Sequence, residues 1–145
     1  KRVWKIKNRP FSKKFIVIFS SIEEVRKYSI IDSVNEHKIL ETWPGHTTWV
    51  LKSREICPFW LKDENGTLAV RVTKHSQMLS LIHRCGPLIS TSANLSGCSP
   101  GENYKQVVKD LGKESLVSYV LPGETCGKTK PSIIYDGLTN KILRG

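Results

Sequence analysis

The apolar positions of the chain change their spacing several times, and each change predicts a new element. The run FIVIF at residues 15–19 is apolar throughout, which is typical of a strand buried on both faces. Ser20 and Ser21 each stand three residues before a glutamate, the spacing of a capping box, so a helix ending near Tyr28 is expected to follow. The regular pattern therefore begins with a strand and a helix.

The alternation of helices and strands continues through the middle of the chain. Residues 32–42 form a second, weaker helical pattern, and TTWVLKS from Thr47 alternates like a strand. The turn signal Asn65-Gly66 then leads into TLAVRV, which has the composition and period of another strand.

Weaker patterns complete the chain. Thr73 is the expected cap of a helix over residues 74–84, PLIST returns as a buried strand, and residues 102–111 form a helix that Gly112 would end. Short strands are expected at residues 117–121, 132–135 and 141–143. Strands that alternate with helices predict the α/β class, with flanking helices and a mixed, twisted sheet.

Length and composition indicate one domain over residues 1–145. A chain of this length buries roughly two-thirds of the surface that its unfolded form exposes. No apolar run approaches the roughly 20 residues of a membrane helix, and no signal-peptide pattern is found, so we expect a cytoplasmic protein without a membrane partner. The first residue is not Met, so we expect a domain truncated at its N-terminus.

Cysteines and charge are unequally informative about function. Cys57, Cys85, Cys98 and Cys126 form no C-x-x-C pair, so reduced thiols are expected and no metal ligand is assigned. The 23 Lys and Arg residues outnumber the 13 Asp and Glu residues, and the net charge of +10 favours polyanions such as nucleotides or RNA. A basic surface without a ligand is equally consistent with charge alone.

The segment PGETCGKTK contains Gly127-Lys128-Thr129 but is not a phosphate loop. That motif requires a glycine where this chain has Pro122, and a helix where this chain has Pro131 and a strand. A Gly-rich loop beside another site is the better interpretation.

Three basic residues are candidate anion ligands. Lys7 and Arg9 would project to the same side of an extended segment, as a triphosphate requires, although a solvated basic terminus is the alternative. Alternation places Arg71 on one face of TLAVRV with Thr67 and Ala69. An arginine within an apolar strand is typically paired or turned towards a ligand, and a structural ion pair is equally open.

The segment ISTSANLSG carries many polar groups directly after an expected strand. Its hydroxyls belong to Ser90, Thr91, Ser92 and Ser96, and its carboxamide to Asn94. Such groups at the carboxyl end of a strand lie where ligands bind in α/β sheets, while a hydrogen-bonded turn is the alternative. No G-x-S-x-G elbow surrounds Ser92, so no nucleophile, acid or base is assigned.

The chain carries, in order, the motifs Lys7-x-Arg9-Pro10, WPG, TLAVRVTKH, STSANLSG, PGET with KPSII, and ILRG. This ordered set resembles the YrdC-like domain family, especially bacterial L-threonylcarbamoyladenylate synthases of the TsaC type. The resemblance implies a twisted α/β sheet around a positively charged cavity. It also implies a nucleotidyltransferase that uses L-threonine, bicarbonate and ATP, with Mg²⁺, to form threonylcarbamoyl-AMP and pyrophosphate. The tRNA threonylcarbamoyltransferase complex would then modify the adenosine next to the anticodon.

The resemblance also implies roles for ten residues. Contacts with ATP or the intermediate are expected from Lys7, Arg9, Lys13, Thr67, Ser92, Asn94 and Arg144. Contacts with threonine are expected from Arg71, Ser90 and Ser132. Arg71 would bind the threonine carboxylate, and Ser92 and Asn94 would orient the intermediate.

Family members carry a PTET-x-YGL-like motif ahead of the K-x-R pair, and it contributes to the threonine site. This sequence begins after that motif, so we expect an unpaired sheet edge, and the activity of the fragment is an open question. Two other functions stay open. One is a non-catalytic YrdC-like module that binds double-stranded RNA or tRNA, and the other is the carbamoyl-adenylate chemistry of hydrogenase maturation, normally found in a longer chain.

Overall fold

The structure is a computed structural model that describes residues 2–10, 13, 15–111, 116–123 and 131–145. The chain divides into two compact units. The loop unit consists of residues 1–13 and 91–130, and the sheet unit consists of residues 14–90 and 131–145. The expectation of one truncated domain over residues 1–145 stays a prediction.

The described strands belong to one mixed sheet in the sheet unit, in the order β4-β1-β3-β2-β5-β6. They are β1 (Ile16–Phe19), β2 (Thr47–Lys52), β3 (Thr67–Val72), β4 (Leu88–Ser90), β5 (Ile133–Asp136) and β6 (Ile142–Arg144). The pairs β1–β3 and β2–β5 are parallel, and the other neighbouring strands are antiparallel. The mixed α/β sheet predicted from the sequence is confirmed.

Five helices lie within the described residues. The sheet unit contains α2 (Ile22–Tyr28), α3 (Ser33–Thr42) and α4 (Ser76–Cys85), and the loop unit contains α1 (Arg2–Lys7) and α5 (Tyr104–Leu111). Among the described residues, no helix combines the length and the apolar character needed to cross a membrane.

One face of the sheet forms the apolar core. Val17, Val70 and Trp49 are neighbours in the register of β1, β3 and β2, and each is at most 4% exposed. Val25 of α2 and Ile39 of α3 belong to the same buried cluster. Because side chains alternate along a strand, the residues between these core positions project from the other face.

Local hydrogen bonds explain where α2 begins. The hydroxyl of Ser21 accepts the backbone N–H of Glu24 at 3.3 Å, and the Glu24 carboxylate accepts the N–H and hydroxyl of Ser20 at 3.1 and 2.7 Å. The Ser21 bond satisfies an N–H group that the first helical turn leaves without a partner, and the Glu24 bonds hold the residue before the cap. The predicted capping signal is confirmed.

The basic N-terminal segment is helical, so its expected extended conformation is wrong. Helix α1 ends at Lys7, and Asn8 adopts a left-handed conformation with φ of 46°. The N–H of Asn8 donates to the Lys5 carbonyl and that of Arg9 to the Trp4 carbonyl, both at 3.1 Å. An asparagine directly after the last turn is a helix-ending signal that the basic composition concealed.

Three further local predictions differ from the structure. Helix α4 begins at Ser76, because the hydroxyl of Thr73 accepts the His75 N–H at 3.1 Å in a turn that precedes the helix. Strand β4 lies at the sheet edge rather than in the core, with Ile89 37% exposed. Residues 117–121 form no strand. Gly112, Cys126 and Gly127-Lys128-Thr129 lie outside the described residues.

Candidate active site

In the loop unit, oxygen atoms of the segment after β4 surround the ammonium group of Lys7. Its Nζ donates to the Ser92 carbonyl at 2.7 Å, to Oδ1 of Asn94 at 2.6 Å, and to the Asn94 carbonyl. Lys7 is 4% exposed and Asn94 is 8% exposed. Burial and the positive charge of Arg9 lower the pKa of Lys7.

The segment itself is also held by its own polar groups. The Ser92 hydroxyl donates to Oδ1 of Asn94 at 2.6 Å, and Nδ2 of Asn94 donates to the Cys98 carbonyl. The Ser96 N–H donates to the Lys7 carbonyl at 3.0 Å. The hydrogen-bonded turn considered as an alternative is therefore present, and it is built from the candidate site residues themselves.

Arg9 and Lys13 lie close together in the loop unit. The Nε of Arg9 donates to the Lys13 carbonyl at 3.1 Å, and burial lowers the pKa of Arg9. The N–H of Lys13 donates to the Pro10 carbonyl at 3.1 Å, and Lys13 is exposed. The structure thus brings Lys7, Arg9, Ser92 and Asn94 into one region, as the sequence suggested, but through a helix end rather than an extended strand.

In the sheet unit, Arg144, Ser132 and Thr48 form a connected polar group on the face opposite the apolar core. Nε and Nη2 of Arg144 donate to the Ser132 carbonyl at 3.2 and 3.0 Å, and Nη2 also donates to the Ser132 hydroxyl at 3.0 Å. That hydroxyl lies 3.1 Å from Oγ1 of Thr48, and both residues are buried. The Arg144 guanidinium is therefore held by Ser132, which directly precedes β5 and contacts Thr48 of β2.

Arg71 shares this face of the sheet. Val70 pairs with Trp49, so Arg71 is aligned with Thr48 across β3 and β2. Burial and the positive charge of Arg144 lower the pKa of Arg71. In the described part of the chain, neither Arg71 nor Arg144 forms an ion pair with a carboxylate. Two guanidinium groups in this arrangement suit an anionic ligand.

Thr67 and Ser90 have no hydrogen bond to Arg71, Arg144 or Ser132 among the described residues. Thr67 begins β3, and its hydroxyl and N–H donate to the two carboxylate oxygens of Asp63, both at 2.7 Å. Ser90 is half-buried in the edge strand β4, opposite Ile16. Their roles in binding ATP and threonine stay predictions.

Thr48 is a candidate site residue that the sequence reasoning missed. It directly precedes the buried Trp49 in β2, and period-two alternation could have placed it on the face of Arg71.

The WPG turn before β2 holds the start of this strand, since Nε1 of the buried Trp43 donates to the Thr47 carbonyl at 2.8 Å. A side chain at Gly45 would collide with the carbonyl oxygen of Thr42. A buried aromatic side chain on a tight turn therefore anchors the start of β2.

Comparison with known proteins identifies the family. The sequence-family model of the Sua5, YciO and YrdC proteins, which carries the description "Telomere recombination", matches residues 1–145. The chain belongs to this family.

Curated relatives of similar sequence are synthases. The threonylcarbamoyl-AMP synthase of Nitrosococcus oceani is 39% identical over 145 residues, which cover 99% of this chain and 77% of that protein. The threonylcarbamoyl-AMP synthase of Escherichia coli K12 is 37% identical over 147 aligned residues, which cover 99% of this chain and 76% of that protein.

Solved structures share the fold. P. abyssi Sua5, crystallised with L-threonine, superposes with a TM-score of 0.83 at 26% identity, over 93% of this chain and 40% of that chain. E. coli YciO superposes with a TM-score of 0.85 at 24% identity, over 99% of this chain and 70% of that chain. The chain therefore spans less than half of the P. abyssi protein, and the expected YrdC-like fold is confirmed.

Proposed function

We propose that this chain is a nucleotidyltransferase that forms threonylcarbamoyl-AMP and pyrophosphate from L-threonine, bicarbonate and ATP. The observation that carries the proposal is the position of Arg71 beside Arg144 without an acidic partner among the described residues. Identity of 37–39% with threonylcarbamoyl-AMP synthases over 99% of the chain supports it. The L-threonine in P. abyssi Sua5 supports threonine as the amino-acid substrate.

The proposed reaction needs charge neutralisation and positioning more than proton transfer. The threonine amine and bicarbonate form a carbamate with loss of water, and a carbamate oxygen attacks the α-phosphorus of ATP. The bond from that phosphorus to the bridging oxygen breaks, and pyrophosphate leaves. Negative charge accumulates on the leaving group, so fixed cations lower the barrier. The candidate residues are cations, hydroxyls and a carboxamide, which suits this chemistry.

The proposed roles are assigned within each unit separately. In the sheet unit, Arg71 binds the threonine carboxylate. Ser132 contacts threonine, as the resemblance implies, and it also holds Arg144 for contact with the nucleotide phosphates. In the loop unit, Ser92 and Asn94 orient the intermediate. The remaining residues proposed to bind substrates are Arg9, Lys13, Thr67 and Ser90.

We propose that Mg²⁺ enters as part of the ATP complex. Mg²⁺ typically keeps several waters and is held by substrate phosphates with one or two carboxylates. The described residues include no group of three His, Cys, Asp or Glu side chains that could hold a metal ion. A triphosphate-bound ion fits the basic and hydroxyl-bearing donor set better than a resident ion does.

The product is a mixed anhydride that must reach a second enzyme before water hydrolyses it. We propose that it passes to the tRNA threonylcarbamoyltransferase complex, which modifies the adenosine next to the anticodon.

We propose that the chain acts in the cytoplasm. ATP and tRNA are both available there, and the free thiols of Cys57, Cys85 and Cys98 would also stay reduced.

Substrate omission tests the proposed function. Pyrophosphate release from ATP is measured with threonine and bicarbonate, and then with either omitted. We expect release that requires both and falls at least about tenfold in Arg71→Ala, because a charge-assisted contact with the carboxylate is lost. Pyrophosphate release that is the same with and without threonine would contradict the proposal.

The net charge of +10 favours a second candidate, a non-catalytic module that binds tRNA or double-stranded RNA. RNA affinity of the wild type, Arg71→Ala and Asn94→Ala is measured against salt concentration. Affinity that is unchanged in both variants and falls steeply with salt, without any threonine-dependent activity, would favour this module over the synthase.

A further inference from the structure

The hydrogen-bonding capacity of Lys7 is used within the protein. An ammonium group has three N–H donors and no acceptor. The Nζ of Lys7 has three close acceptors in the loop unit, namely the carbonyl oxygens of Ser92 and Asn94 and Oδ1 of Asn94. Its backbone carbonyl also accepts the Ser96 N–H at 3.0 Å. With 4% of its surface exposed, Lys7 has little capacity left for a phosphate group.

Lys7 also determines which way the Asn94 carboxamide points. Oδ1 accepts from Lys7 and from the Ser92 hydroxyl, both at 2.6 Å, while Nδ2 donates to the Cys98 carbonyl. A flipped carboxamide would direct its NH₂ group at the ammonium and its oxygen at the carbonyl, so both contacts would be repulsive. Only one orientation is therefore compatible with a protonated Lys7.

We propose that Lys7 is a positioning residue that organises the segment from Ser92 to Cys98 and does not itself bind ATP. This inference rests on the proposed function and replaces the ATP contact that the family resemblance implied for Lys7. In the resulting geometry, the second N–H of Asn94 has no acceptor among the described residues, and it would donate to an acceptor oxygen of the ligand. The Ser92 hydroxyl directs its hydrogen at Asn94, and its oxygen lies 3.5 Å from Nζ of Lys7, so one lone pair is left to accept an O–H or N–H of the ligand.

Amide hydrogen exchange of the ligand-free protein tests the positioning role. We expect Lys7→Met to speed exchange of the Ser96 amide at least about tenfold, because the loop loses its central donor group. Exchange in the core strand at Val70 should stay unchanged. Lys5→Met is the matched control, since Lys5 is an exposed lysine of the same helix, and it should leave both amides unchanged.

Unchanged Ser96 exchange in Lys7→Met would overturn the inference. If Lys7→Met does not fold, as fast exchange at Val70 would show, Lys7→Gln is measured instead. Its shorter amide retains two N–H donors but cannot reach all three oxygens, so Ser96 exchange should again increase while Val70 exchange does not. Because this experiment uses no substrate, its result is independent of the proposed activity.

A double-mutant cycle separates positioning from direct binding. If Lys7 acts through Asn94, Lys7→Met should lower kcat/KM for ATP in the wild type but by less than about twofold in the Asn94→Ala background. Arg9→Met is the comparison, because Arg9 is proposed to contact substrate directly, and its loss should multiply with that of Asn94→Ala. If the losses of kcat/KM from Lys7→Met and Asn94→Ala multiply, the positioning role is overturned while the synthase function stays intact.

Discussion

Arg144 donates three hydrogen bonds to Ser132, two to its carbonyl oxygen and one to its hydroxyl. These bonds use Nε and Nη2, so Nη1 has no partner among the described residues. They hold the guanidinium near Arg71, whose pKa is lowered by burial and by the positive charge of Arg144. An anion bound at this position would relieve the repulsion between the two cations, which is the physical basis of the proposed substrate site.

Removing the Ser132 hydroxyl should weaken substrate binding without unfolding the protein. Ser132→Ala keeps two of the three bonds to Arg144, so we expect the KM for ATP to rise about threefold to tenfold, the equivalent of one hydrogen bond. Steady-state pyrophosphate release measures the change. Ser80→Ala, at an exposed position of α4, is the control and should have no effect on KM. An unchanged KM in Ser132→Ala would contradict the role given to Arg144.

Arg71 should contribute to binding at the expense of stability. Arg71→Lys keeps the charge but loses the planar fork that binds a carboxylate in two places, so threonine affinity should fall about tenfold. Calorimetric titration with threonine measures this loss.

Arg71→Ala should keep or raise the thermal midpoint of the ligand-free protein, because it removes a cation that is partly buried beside Arg144. Thermal unfolding followed by circular dichroism tests this expectation. A lower midpoint together with unchanged threonine affinity would mean that Arg71 is a structural residue.

The three described cysteines should differ in reactivity. Burial raises the pKa of Cys57, which is 2% exposed, whereas Cys85 and Cys98 are exposed. Because the thiolate is the reactive form, we expect a maleimide to label Cys85 and Cys98 in the native protein and Cys57 only after unfolding. Peptide mapping by mass spectrometry locates the labels. Rapid native labelling of Cys57 would show that this part of the core is open.

Asp136 should contribute to stability only while it is ionised. Burial raises its pKa. Hydrogen bonds from the Leu138 N–H and from the hydroxyl and N–H of Thr139, together with the charge of Lys141, outweigh burial and hold the pKa below its ordinary value. The contribution is therefore complete above the unfolded-state pKa and is lost as pH falls through the lower folded-state pKa. Asp136→Asn should make the unfolding free energy less dependent on acid pH in denaturant titrations. An unaltered pH dependence would contradict this assignment.

Sequence patterns identified the sheet because its signals are local. The alternation of β3 around Arg71, the cap at Ser21 and the Asn65-Gly66 turn each depend on a few neighbouring residues, and each is confirmed. The predicted start of α4 was wrong because the Thr73 hydroxyl forms a turn bond with the His75 N–H instead of capping the helix. The predicted burial of Ile89 was wrong because the order of strands places β4 at the edge of the sheet.

The candidate site was only partly predictable. Residue types and motif order pointed to Lys7, Arg71 and Asn94, but hydrogen bonds between distant positions determine what each side chain can do. Lys7 and Asn94 lie 87 positions apart in the sequence, and Thr48 and Ser132 lie 84 apart. No local pattern reveals that the Lys7 ammonium donates to two backbone carbonyl oxygens and to the Asn94 side chain.

Isotope incorporation into the product tests the central claim most directly. The chain is incubated with ATP, carbon-labelled bicarbonate and isotopically labelled threonine, and the nucleotide products are analysed by mass spectrometry, with the E. coli synthase as a positive control. The proposal predicts threonylcarbamoyl-AMP that carries both labels, formed in equal amount with pyrophosphate and reduced in Arg71→Ala. Nucleotide products that carry neither label, under conditions in which the control forms the doubly labelled product, would contradict it.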